Sequence, residues 1–194
     1  MSPTSGSSAS DRPDRPDHDR DLVSMIMPSP VGRLTLIGDD HGRAAAVWEH
    51  DDPLRVRLGR VRSDPDAPLL RETARQVGEY FAGLRSVFTV PLACRGTPFQ
   101  RRVWAALCTI PFGETRTSGE QARAIAHPSA VRAVGAANGR NPVSIIAPCH
   151  RVIGAGASLT GFAGGLAAKA FLLRLEGHQV DAHQISAGAA AHGS

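Results

Sequence analysis

Lysine is almost absent from this chain: its 194 residues include a single one, Lys169, against 21 arginines. Such an excess of arginine has two readings, compositional drift and a surface built to face a polyanion. Cysteine is scarce as well, with only Cys94, Cys108 and Cys149. An odd number at these spacings matches neither a disulfide framework nor a zinc pattern, which excludes a stapled secreted scaffold and points to a reducing cytoplasm. No apolar run approaches the roughly 18 residues needed to span a bilayer. The polar N-terminus has no hydrophobic core segment, so no signal peptide and no membrane association are expected. The length suffices for one or two small domains with a real core.

The net charge of +4 hides an asymmetry. Residues 1–95 carry 13 Arg against 14 acidic residues, whereas residues 96–178 carry eight Arg and one Lys against three Glu. The second half is the one expected to meet a polyanion. Residues 1–21 are Ser, Pro, Asp and Arg with almost nothing apolar, and cannot bury enough surface to offset their ordering entropy; they read as a disordered tail. Residues 179–194 read as a second tail.

Between the tails the pattern predicts an α/β protein. Residues 22–37 hold two strands around the turn Pro28-Ser29-Pro30-Val31-Gly32, and a third strand occupies residues 44–48. Residues 69–84 have helical spacing, with Leu70, Ala74, Val77 and Phe81 on one face. Residues 87–92 read as another strand. These make a small N-terminal sheet-plus-helix domain over residues 22–95. A mainly helical C-terminal domain follows over residues 96–178. Its first helix spans residues 98–108, with Phe99, Val103 and Leu107 on one face and Trp104 beside them as core. Thr117-Ser118-Gly119-Glu120 fits a capping box and starts a helix over residues 118–126. His127-Pro128-Ser129 breaks it, and a further helix spans residues 129–138, with Val131 and Val134 facing inward. Two short helices joined by a tight turn read as helix-turn-helix. The second is nearly smooth: Ala133, Gly135, Ala136 and Ala137 leave Arg132 as its one long side chain. It suits close packing on another helix or close approach to another surface.

The chemistry concentrates further on. The apolar run of residues 143–147, read as a buried strand, leads into Pro148-Cys149-His150-Arg151-Val152. A thiol beside an imidazole on a rigid scaffold is either a nucleophile with a base or a buried thiol next to a core histidine. Gly156 to Gly161 has phosphate-loop glycine spacing, but Phe162-Ala163 follows where Lys-Ser/Thr is required, so no phosphate loop is read here. Cys94, Cys108 and the scattered histidines lack zinc-ligand spacing, and neither metal nor cofactor is expected.

Several of these motifs, taken in order, resemble one family. Gly96-Thr97-Pro98-Phe99-Gln100, Val103-Trp104, Ile110-Pro111-Phe112-Gly113-Glu114-Thr115 and Ala130-Val131-Arg132-Ala133-Val134-Gly135 precede Asn141-Pro142. Pro148 to Gly154, Leu159-Thr160-Gly161-Phe162-Ala163-Gly164-Gly165 and Leu172-Leu173-Arg174-Leu175-Glu176-Gly177 follow. Strongly over residues 96–178 and loosely over residues 23–95, the chain is similar to the methylated-DNA–protein-cysteine methyltransferases, also called 6-O-alkylguanine-DNA alkyltransferases.

The resemblance implies direct, stoichiometric reversal of guanine alkylation in double-stranded DNA. The substrate would be 6-O-methylguanine, with 4-O-methylthymine a further candidate. The protein would be a cytoplasmic monomer without cofactor or obligatory protein partner. Cys149 matches the alkyl acceptor, His150 the base that acts through a water, and Glu176 the carboxylate that orients it. By spacing alone Glu176 reads as a surface helix residue. Asn141 matches the residue holding the loop between recognition helix and acceptor, and also suits an Asn-Pro turn. Arg132 matches the arginine that fills the space of an extruded nucleotide from the minor groove. Arg151 stands at a family position open to structural pairing or substrate contact. Phe162 would lie against the flipped base. Two departures stand out: Ser118 and Phe162 each replace a tyrosine thought to assist the leaving guanine. A non-catalytic lesion-recognition protein of the alkyltransferase-like kind is the alternative that the missing phenols keep open and Cys149 argues against. A Cys-His hydrolase is a third reading, and it leaves the helix-turn-helix unexplained.

Overall fold

The computed structural model describes residues 22–39, 44–51, 55–56, 60–92, 94–181 and 184–186. The expected tail at 1–21, and residues 187–194 of the second tail, lie outside them. In the N-terminal domain, β1 (Leu22–Met27), β2 (Leu34–Gly38) and β3 (Ala44–Trp48) form an antiparallel meander, as the sequence predicts. A fourth strand, β4 (Val61–Ser63), pairs parallel with β1 and gives the order β3-β2-β1-β4. Its three residues are all exposed, so no apolar pattern marked it.

Helix α1 (Pro68–Phe81) starts on a proline, whose missing N–H has no partner in a first turn anyway. It stops at Gly83, where a φ of +72° lets Gly83 N donate to Tyr80 O and Leu84 N to Glu79 O. The buried face differs from the predicted one. Leu70, Thr73, Gln76, Val77 and Tyr80 point inward, two of them polar, while Ala74 and Phe81 sit at its margin. Gln76 explains a second difference. Residues 87–92 form no strand, because Thr89 N donates to the Gln76 side-chain oxygen at 2.9 Å and Gln76 Nε2 donates to Thr89 Oγ1 at 2.8 Å. A glutamine side chain on the helix thus takes the place of a neighbouring strand.

In the C-terminal domain α2 (Pro98–Leu107) and α3 (Ser118–Ala124) both open on complete capping boxes, Thr97 with Gln100 and Thr117 with Glu120. Helix α4 (Val131–Gly139) follows the turn after α3. Val103, Leu107, Ala122 and Val134 are fully buried where these three helices meet. Trp104 Nε1 donates to Ala137 O at 2.9 Å and fastens α2 to α4. Val131, expected inward, is exposed: the core holds α4 only by Val134 and Ala137, a full turn further on. The short strands β5 (Arg116–Thr117) and β6 (Val152–Ile153) pair in parallel and bring the start of α3 beside the Cys149 segment.

The remaining elements close the site. A 3₁₀ turn (Cys149–Arg151) precedes β6, and α5 (Gly165–Leu175) carries Glu176 as its C-cap. Residues 179–181 and 184–186, expected in a tail, instead pair as the antiparallel strands β7 (Gln179–Asp181) and β8 (Gln184–Ser186), with the buried Val180 against Leu173. The two domains share one core. Leu34, Trp48, Val77 and Tyr80 from the first pack with Ile145, Ile146, Ala168 and Leu172 from the second. Among the described residues no helix is long and apolar enough to cross a membrane.

Candidate active site

The run at residues 143–147 is a buried turn, with Val143 alone bridging in parallel to Ala46 of β3. Asn141 dictates this. Its Oδ1 accepts from Val143 N at 3.1 Å and its Nδ2 donates to Ala147 O at 2.7 Å, so one side chain takes up two backbone groups that a strand would have left to a neighbour. Ile145 sits at a φ of +75°, a left-handed conformation that costs a β-branched residue on the order of 1–3 kcal/mol. Its complete burial in the shared core offsets that strain. The turn delivers Cys149, and Asn141 Nδ2 also donates to Cys149 Sγ at 3.1 Å.

His150 is wholly buried, and its Nε2 lies 2.8 Å from Glu176 Oε1. Five groups serve the Glu176 carboxylate. Arg151 Nε and Gly113 N donate to Oε2 at 2.9 and 3.2 Å. Arg151 Nη2 at 3.0 Å and the Tyr80 hydroxyl at 2.8 Å donate to Oε1, along with His150. Gly113 reaches the carboxylate from a φ of +78°, a conformation that favours glycine. Burial pushes the Glu176 carboxyl up, but the bonds and charges of His150 and Arg151 outweigh it and bring the group down to about 2. Burial pushes the His150 imidazole below 6.5, against the pull of Glu176. His150 is charged in the acid range where Glu176 titrates; at pH 7, with His150 neutral, the charge remaining beside the carboxylate is Arg151's. An ionised carboxylate only accepts, so Nε2 carries the imidazole proton and Nδ1 does not. Nδ1 is buried without a hydrogen-bond partner in the protein, which leaves it the ring atom able to take a proton.

Burial also pushes the Cys149 thiol up, while the Asn141 amide and the Lys169 and Arg55 charges pull towards the thiolate. The resting group is a thiol that needs a base. Lys169, fully buried on α5, donates to Val152 O at 2.5 Å and Thr160 O at 3.1 Å, and burial lowers it to about 8. A Lys169→Met protein is expected to need a higher pH for half-maximal alkylation of Cys149 by a small thiol reagent. An unchanged midpoint would confine Lys169 to holding the two carbonyls.

Three comparisons bear on what this arrangement is. Residues 98–178 match the family model described as 6-O-methylguanine DNA methyltransferase, DNA binding domain, and residues 22–94 match that of its ribonuclease-like domain. A methylated-DNA–protein-cysteine methyltransferase of Methanosarcina mazei is 48% identical over 153 residues, covering 78% of this chain and 94% of that protein. The enzyme of the same name from Mycobacterium leprae is 48% identical over 154 residues, covering 79% and 92%. The chain belongs to the 6-O-methylguanine DNA methyltransferase family. A crystal structure of Mycobacterium tuberculosis O6-methylguanine methyltransferase superposes with a TM-score of 0.70 at 46% identity, covering 80% of this chain and 92% of that one. The Mycobacterium tuberculosis OGT in complex with DNA gives 0.72 at 44% identity, covering 81% and 92%.

Within this methyltransferase fold, Cys149, His150, Glu176 and Asn141 come together at the junction of the 3₁₀ turn and the C-terminus of α5. Glu176, a surface residue by spacing alone, is buried. Arg151, for which structural pairing and substrate contact both stood open, spends its guanidinium on Glu176 and, through Nη1 at 2.5 Å, on Ile110 O. Arg132, second residue of α4, is exposed with the small residues Ala133, Gly135 and Ala136, forming a smooth face of the DNA-binding domain. Ser118 opens α3, half-buried. The half-buried Phe162 ring stands edge-on to Trp48, 5.5 Å between centroids, and edge-on to His150 at 6.3 Å. Gly164 lets the Trp48 indole lie against this loop, since a Cβ there would come within 2.6 Å of it. Among the described residues no group of three or more His, Cys, Asp or Glu could hold a metal ion.

Sequence reading missed four participants. Tyr80 and Trp48 come from the N-terminal domain. So does Arg55, which pairs with Asp51 and donates to Asn141 O, beside the Ala46 N to Pro142 O bond of 2.9 Å. The fourth is Lys169, whose signal was its solitude: one lysine in an arginine chain, set in an apolar helix.

Proposed function

We propose that this protein reverses guanine alkylation in DNA by a single direct transfer to Cys149. Sγ attacks the alkyl carbon on the 6-oxygen of guanine as the carbon–oxygen bond breaks. The bonding pair leaves with the guanine, which takes up a proton, and an S-alkyl cysteine remains. The observation that carries this reading is the convergence on one buried turn of Cys149, the Asn141 amide and the Glu176-held His150 with a bare Nδ1. His150 takes the thiol proton through an intervening water, following nucleophile–base–orienter logic. A thioether offers no leaving group, so each molecule acts once. The substrate is double-stranded DNA bearing 6-O-methylguanine, with 4-O-methylthymine as a second lesion. A cytoplasmic monomer without protein partner suffices.

A base inside a duplex is out of reach of a buried thiol, so the nucleotide must be extruded. Arg132 fills the gap and Phe162 lies against the flipped base; the exposure of Arg132 on the smooth face of α4 supports the first role. Ser118 and Phe162 supply no phenol to the leaving guanine; the Ser118 hydroxyl reaches it only through water. Titrating the protein with duplex carrying 6-O-methylguanine tests the reading: restored guanine should stop at one per protein, and continued turnover would contradict it. Arg132→Ala should slow transfer from duplex far more than from free 6-O-alkylguanine base. Equal slowing on both substrates would remove Arg132 from extrusion.

A further inference from the structure

Tyr80 is the only tyrosine of the chain, and it lies in the N-terminal domain, outside the part that matches the DNA-binding model. It is fully buried, and α1 delivers its hydroxyl into the centre of the acceptor site. The hydroxyl donates to Glu176 Oε1 at 2.8 Å, the oxygen that also accepts from His150 Nε2 at 2.8 Å, and it stands 3.4 Å from Nε2 itself. Phe81, Phe88 and Phe112 pack around the ring and hold it there. We propose that Tyr80 is a positioning residue for alkyl transfer: by sharing Glu176 Oε1 with the His150 imidazole, its phenol sets how strongly that carboxylate holds the imidazole proton. This rests on the reading of His150 as the base that receives the Cys149 proton.

The physical argument is one of competition. A carboxylate oxygen that already accepts from a phenol and a guanidinium has less negative charge to offer a third donor. Removing the phenol leaves Oε1 to His150 and Arg151, so Glu176 pulls harder on the imidazole N–H. The imidazolium form gains stability, so His150 keeps its proton to higher pH, and above that midpoint more of the proton shared with Cys149 sits on the imidazole. Tyr80 takes no part as an acid or base itself. Burial, aided by the Glu176 charge, pushes its hydroxyl far above the ordinary range, and Arg151 opposes only weakly. The charged groups bearing on the pair come from several elements. Glu176, Arg151 and Lys169 act on His150, whereas Lys169 and Arg55 act on Cys149. Among these, only Glu176 and Arg151 also act on Tyr80, so deleting its hydroxyl works through the relay and not through Lys169 or Arg55. The consequence for the fold is that the N-terminal domain tunes the acceptor chemistry from across the shared core.

The test is the pH dependence of single-turnover transfer from a free 6-O-alkylguanine base, which needs no extrusion. Tyr80→Phe should move the acid-limb midpoint up by about one pH unit and raise the plateau rate about tenfold, since both follow the proton affinity of His150. Glu176→Gln, in parallel, should move both down. A Tyr80→Phe midpoint that stays put or falls while Glu176→Gln moves it would overturn the inference and leave the base reading intact. If neither variant moves the profile, the base reading itself fails and the inference with it. A second measurement does not need Tyr80→Phe to fold. In the protein with Tyr80 intact, ¹³Cζ-tyrosine labelling gives one resonance, which should not titrate up to about pH 11 and should shift when Glu176→Gln is introduced. A resonance that ignores Glu176→Gln would also overturn the inference.

Discussion

A Cys149→Ser protein transfers no alkyl group and binds alkylated duplex within a few-fold of the unaltered protein. The two halves of this result have separate causes. Transfer needs a polarisable sulfur whose proton His150 can take, and a serine hydroxyl is far too weak an acid to ionise in a pocket that already pushes the thiol up. Affinity for duplex rests on contacts to phosphates, to which a buried side chain adds little. Cys149 is 7% exposed and its Sγ accepts from Asn141 Nδ2, so an isosteric hydroxyl fits the turn. A gel-shift titration alongside a transfer assay reads both. Full-rate transfer by the serine protein would remove Cys149 from its role. Loss of duplex binding would show that the turn itself collapses.

Arg151→Met is expected to be the most damaging replacement for stability. It leaves the Glu176 carboxylate buried with only neutral donors and strips Ile110 O of its partner. Breaking a buried pair from one side costs about 3–5 kcal/mol, set against a typical total of about 5–15 kcal/mol. The pH dependence carries the signature. In the unaltered protein Glu176 is held down to about 2 from its ordinary 4.5. Its contribution is therefore fully present above pH 4.5 and fades as pH falls from there towards 2. In Arg151→Met, burial without the guanidinium lifts the carboxyl. Protonation then relieves the folded state, and the gap between the two proteins narrows on acidification. Urea unfolding at pH 7 and pH 4 measures it. A loss below about 1 kcal/mol at pH 7, the scale of an exposed pair, or a gap that does not depend on pH, would contradict this account.

What was legible in the sequence was local. Thr117 with Glu120, Thr97 before Pro98, and the breaker at His127-Pro128 each carry their physics within four residues, and the helices follow them. The acceptor motif was legible because Pro148-Cys149-His150-Arg151 is contiguous. Tertiary choices were not. Gln76 and Tyr80 lie on the buried face of α1 because Thr89 and Glu176, further along the chain, satisfy them, and periodicity of apolar residues cannot see a polar residue with a distant partner. The same holds for residues 143–147, apolar enough for a strand but held as a turn by the Asn141 side chain, and for Arg151, whose destination depends on where α5 ends. The pair of strands β7 and β8 was hidden by its shortness, with only Val180 and Ile185 to mark it.

The central claim, that Cys149 is the one alkyl acceptor, is tested most directly by peptide mass mapping after incubation with duplex DNA containing 6-O-methylguanine. The account predicts one methyl per protein, on the peptide that contains Cys149, and none on the peptides of Cys94 or Cys108. A protein of unchanged mass beside unrepaired duplex, or methyl on either of the other cysteines, would contradict it.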